Sequence, residues 1–104
     1  MRTFILLSTL SPQGVQTLRA TPERLLEVNR EVEALGGRVV HQWALLGDYD
    51  FLSVIEAPDA ASVARLTFEL AARGSAHFET LPAIDVDEMI GLMASLPEPP
   101  ELAG

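Results

Sequence analysis

Apolar residues occupy both parities of the first strand-like run in this 104-residue chain, with Phe4 and Leu6 on one side and Ile5 and Leu7 on the other. A half-exposed strand alternates, so residues 2–9 predict a strand covered on both faces. Ser11, Pro12 and Gly14 follow as loop residues. Thr21 as N-cap and Pro22 at the first helical position then open a helix. Leu25, Val28, Val32 and Leu35 recur along it at helical spacing as a buried stripe, and Gly36-Gly37 stop it.

Residues 38–46 predict a second strand and Gly47-Asp48 a two-residue hairpin turn. A third strand runs over 49–57, and Asp59 caps a helix over 60–73. That helix has a narrow polar stripe of Ser62, Arg65, Glu69 and Arg73, while Val63, Ala64, Leu66, Phe68, Leu70 and Ala71 fill most of the rest. One sheet face needs less apolar surface than this, so a second surface is expected against it. Gly74 ends the helix, a fourth strand runs over 75–82, and Asp85 caps a short amphipathic helix. Val86, Met89, Ile90, Met93 and Leu96 line one side of that helix. The order β-α-β-β-α-β is the ferredoxin-like plan, an α+β fold with a four-stranded antiparallel sheet, two helices on one face and an added C-terminal helix. The domain is expected over residues 1–96, with 97–104 a disordered Pro-rich tail. The second face of the sheet needs a cover, either another subunit or the C-terminal helix.

Composition sharpens this. A hydrophobic content of 48% is high for one small domain and points to a homodimer or higher homo-oligomer. The net charge is −8, and all seven basic residues are Arg. Such acidity argues against nucleic acid or an anionic membrane as partner. The lack of Lys removes Schiff-base and P-loop chemistry, and the lack of Cys removes disulfides, thiolate catalysis and Cys-type zinc sites. The apolar run Phe4–Leu7 is too short for a signal sequence or a membrane span, so a cytoplasmic location is expected.

The residues Gly47-Asp48-Tyr49-Asp50 resemble the signature for which the GYD-domain family is named. Further landmarks are Thr9 with Gly14, Thr21-Pro22-Glu23-Arg24, Gly36-Gly37, Ala57-Pro58-Asp59 and Thr80-Leu81-Pro82-Ala83, in order over residues 3 to 88. Trp43 stands where Tyr is more usual. The resemblance implies a ferredoxin-like fold of the dimeric α/β-barrel type and assigns no chemistry. Residues 46–59 also resemble the ligand-sensing domain of leucine-responsive-type regulators, in which amino acids bind between subunits, although no helix-turn-helix segment is present here.

Turn chemistry accounts for Gly47-Asp48-Tyr49-Asp50 by itself. The functional alternative puts Tyr49 and Asp50 at the rim of a pocket between subunits. His41 and Trp43 share a strand parity and, on an open face, would add a titratable group and an aromatic wall. His41, Trp43, Tyr49 and Asp50 are therefore the candidate ligand-binding residues, suited to a small apolar or aromatic ligand with one polar group. His77 and Glu79 share a parity near Asp85, Asp87 and Glu88, but the spacing matches no defined metal loop. No Gly-x-Ser-x-Gly elbow and no dinucleotide fingerprint occur, so neither a catalytic residue nor a cofactor is assigned. The favoured reading is an oligomeric module, not an enzyme, that binds a small molecule or a partner. The alternative is a cofactor-independent monooxygenase or isomerase of the dimeric α/β-barrel type.

Overall fold

A computed structural model describes residues 1–97. Its elements run β1 (Arg2–Leu10), α1 (Pro12–Ala20), a 3₁₀ segment (Pro22–Leu26), α2 (Glu27–Ala34), β2 (Arg38–Ala44), β3 (Phe51–Ala57), α3 (Ala60–Ala72), β4 (Ala76–Ala83) and α4 (Val86–Ala94). The strands form one antiparallel sheet in the order β2-β3-β1-β4. This is an α+β fold of the ferredoxin-like arrangement. The expected tail over 97–104 falls, apart from Pro97, outside the described residues.

The dimeric α/β-barrel does not stand. The sheet is open, with β2 and β4 as its two edges, and no barrel closes among the described residues.

Packing on the helix side explains the order. Phe4 and Leu6 of β1 and Ile55 of β3 meet Val32 of α2 and Val63 and Leu66 of α3, all with at most 2% of their surface exposed. Burial on that scale stabilises by about 1.5–3 kcal/mol for each large side chain. Asp59 caps α3 as expected, its Oδ1 accepting from the Ser62 N–H at 2.8 Å.

Several boundaries differ from the sequence reading. Ser11-Pro12 opens a helix instead of a loop: Ser11 Oγ accepts from the Gly14 N–H at 3.0 Å, and Pro12 occupies the first turn. Thr21, expected to be a helix N-cap, makes no side-chain cap bond and precedes a 3₁₀ segment. The start of α1 is tied to the α3–β4 junction, where the Ser11 N–H donates to the Ser75 carbonyl at 3.0 Å. Gly14 sits so close that a Cβ there would lie 2.0 Å from that same oxygen. The expected two-residue hairpin is a longer loop over residues 45–50, within which Gly47 has a φ of 123°. Pro82 lies inside β4 instead of ending it, which an edge strand tolerates because no further strand needs its N–H.

α4 is capped by Asp85, whose Oδ1 accepts from the Asp87 N–H at 3.1 Å. It touches the rest of the chain only slightly. Val86, Met89, Ile90, Met93 and Leu96 remain 42–70% exposed, so α4 does not cover the open sheet face.

Candidate functional site

Strand register places the candidate residues. A bulge between Val39 and His41 inserts one residue into β2. Val39 and Gln42 then pair with Ile55 and Ser53 on the helix side, while His41 and Trp43 pair with Val54 and Leu52 on the open side. Across the sheet the open face reads in rows: His41-Val54-Ile5-Leu81, then Trp43-Leu52-Leu7-Glu79. Ile5, Leu7, Leu52 and Val54 form an apolar strip on which no other element packs among the described residues. His41 and Trp43 stack at its β2 end, with ring centroids 5.2 Å apart and an interplanar angle of 21°.

The loop over residues 45–50 brings Tyr49 to the same face. Its phenol donates to the Glu79 carboxylate. That hydrogen bond, then the Glu79 charge, then burial and the Asp48 charge raise the Tyr49 phenol above its ordinary value. Asp50 plays a different part. Its Oδ2 accepts from the Leu10 N–H at 2.7 Å, its N–H donates to the Ser8 carbonyl at 2.8 Å, and its carbonyl accepts from the Leu45 N–H at 2.8 Å. Asp50 therefore braces the loop against the end of β1 with both main chain and side chain. At the far end of the face, Arg38 donates from Nε and a terminal nitrogen to both carboxylate oxygens of Glu56, at 3.2 and 3.1 Å. This pairing holds Glu56 below the usual carboxylate range.

The structure thus joins His41 to Trp43 and Tyr49 to Glu79, and turns Asp50 to the backbone. Glu79 is the partner that the sequence reading did not assign to Tyr49. No group of three His, Asp or Glu side chains able to hold a metal occurs among the described residues.

A cavity of about 130 Å³ lies on the other side of the sheet, under the helices. Its lining includes Ser8, Gln42 and Ser53, and none of the four candidate residues. The sequence did carry a signal for it. Ser8 and Ser53 stand at inward parity in strands whose other buried inward residues, among them Phe4, Leu6 and Ile55, are apolar.

Comparison with known proteins places the chain. The GYD domain family matches residues 4–93, and the chain belongs to that family. It is also 55% identical over 91 residues to a protein of Thermus thermophilus named glutamine synthetase and cystathionine beta-lyase binding protein. That match covers 86% of this chain and 96% of the relative.

Proposed function

We propose that this chain is a binding module that docks onto an enzyme, with glutamine synthetase as the first candidate and cystathionine beta-lyase as the second. The reading rests on the relative named for binding both, which is 55% identical over nearly its whole length. The same relative favours a binding protein over an enzyme. A cytoplasmic setting belongs to the proposal.

Two uncovered apolar surfaces divide the work. The strip of Ile5, Leu7, Leu52 and Val54 suits a second copy of the chain, because permanent self-interfaces are the more apolar kind. His41, Trp43 and Tyr49 would border that interface, and Asp50 would hold the loop that carries Tyr49. α4 suits the partner enzyme. Its apolar side presents Val86, Met89, Ile90, Met93 and Leu96, the spacing used when a helix lies in a groove. Met89 and Met93 provide adaptable contacts, which fits a surface that must accept two unrelated targets.

Gel filtration of the chain with purified glutamine synthetase from the same organism tests the reading. Co-elution is expected for the full chain and for a chain ending at Leu96, and is lost when it ends at Asp85. Equal behaviour of both truncations would remove α4 from the interface, and no co-elution of the full chain would remove this partner. Sedimentation at micromolar concentration tests self-association separately: a folded monomer of 11.3 kDa would defeat it.

A further inference from the structure

We propose that the cavity between sheet and helices binds a small neutral amphiphile: a compact apolar body with one hydroxyl or carboxamide head. This goes beyond docking on an enzyme, and the chain alone can test it.

The cavity exists because the two ends of the helix-covered face are filled differently. At one end Phe4 and Ile55 pack against Val32 and Val63. Toward the other end the inward residues of adjacent strands include Ser8 on β1, Ser53 on β3 and Gln42 on β2, all lining the space. Small polar residues leave a void there, while Leu25, Val28, Phe51 and Phe78 supply apolar walls. A volume of about 130 Å³ is close to the 150 Å³ or so that holds a benzene-sized molecule. That sets the body at about six to ten heavy atoms.

The polar groups define the head. Gln42 Nε2 donates to Ser53 Oγ at 3.1 Å, which among the described residues leaves the Ser53 hydroxyl hydrogen and Gln42 Oε1 to a ligand. Ser8, only 8% exposed, adds a third small polar side chain to the lining. The charged residues of the lining are Arg24, Glu27 and Arg73, and the serine and glutamine groups thus offer both donors and acceptors without charge. A charged head would lose its water without meeting an opposite charge. The exposed residues of the lining, Arg24 and Arg73, mark the mouth. Both are engaged, Arg24 with Glu27 at 3.8 Å and Arg73 with Glu31 at 2.6 Å. An incoming anion would have to compete with Glu27 and Glu31 for these two cations.

Titration of the ¹⁵N-labelled chain followed by amide chemical shifts tests the proposal with three probes. Benzyl alcohol has the body and the head, toluene only the body, and benzoate a charged head. Benzyl alcohol is expected to give saturable shifts centred on Ser8, Gln42 and Ser53. Toluene should bind about fivefold more weakly, the equivalent of one hydrogen bond near 1 kcal/mol. Benzoate should cause no saturable shift at these residues. Ser8→Leu, which fills the void, should abolish the benzyl alcohol shifts while leaving the dispersion of the spectrum intact. If that variant does not fold, Ser8→Ala decides, with the advantage of the alcohol over toluene expected to shrink. Absence of saturation, shifts centred on His41 and Trp43, equal binding of all three probes, or a Ser8→Ala chain with an unchanged preference would each overturn the assignment. Because no partner enzyme is present, these outcomes leave the docking proposal untouched.

Discussion

Val54 and Ile55 are neighbours in β3 and point to opposite sides of the sheet. Ile55 is 1% exposed among Phe4, Val32 and Val63, while Val54 lies half-buried in the open strip between His41 and Ile5. Both are β-branched and suit a strand equally well, so their different surroundings come from what lies above each face. α2 and α3 cover one face, and among the described residues no element covers the other. The folded core rests on the covered face, and the surface available for association lies on the open one.

The strongest way to break this contrast is to truncate each residue in turn. Ile55→Ala should destabilise by about 2–5 kcal/mol, since it removes buried methyl groups and leaves a void. Val54→Ala should cost under about 1 kcal/mol in dilute solution, as expected for a partly exposed position. Denaturant unfolding of both variants measures the difference. If the open face is the self-interface, the Val54→Ala penalty grows with protein concentration, because association stabilises only the folded state. Equal penalties at every concentration would mean that the two faces are not distinct.

Much of this division was legible in the sequence. The double-sided apolar pattern of residues 4–7 marked β1 as apolar on both faces, and the register sets Phe4 and Leu6 toward the helices and Ile5 and Leu7 toward the open side, where the expected cover is not seen among the described residues. The shared parity of His41 and Trp43 was readable, although the bulge that turns Gln42 toward the helices left no clear mark in the residue types. Ser11-Pro12 read as a loop because Ser and Pro serve turns and helix starts alike. The bond from the Gly14 N–H and the close approach to Ser75 decide between them. The Tyr49–Glu79 contact could not be read at all. It joins residues 30 positions apart, and only the sheet register carries Glu79 to that place.

A smaller effect is expected at Gly47, whose loop carries Tyr49 over the open face. Gly47 has a φ of 123°, where a side chain is strained, yet a Cβ there would meet nothing within 4 Å. The penalty of Gly47→Val is therefore backbone strain and not a clash, on the order of 1–3 kcal/mol. Its core contacts should stay intact, since the change lies outside the packed face. An unchanged unfolding midpoint would show that the loop adopts another backbone shape at no cost.

The smallest effect sharpens the account of the open face itself. Tyr49 is the only tyrosine of the chain, so its phenolate absorbance titrates without overlap from another tyrosine. The bond to Glu79, helped by the Glu79 charge, raises its pKa above the ordinary 10.0. A raised folded pKa means that the contact contributes fully below the unfolded value and is lost as pH rises through the folded one. Tyr49→Phe should therefore lower the melting temperature by a nearly constant small amount at neutral and mildly alkaline pH, and by progressively less above about pH 10. Glu79→Gln should move the phenol midpoint of the otherwise native chain downward, because the charge that opposes phenolate formation is gone. A native midpoint at or below 10.0, or one indifferent to Glu79→Gln, would separate Tyr49 from Glu79 in solution. Asp50 would then hold the hairpin loop at the sheet through its bonds to Leu10 and Ser8.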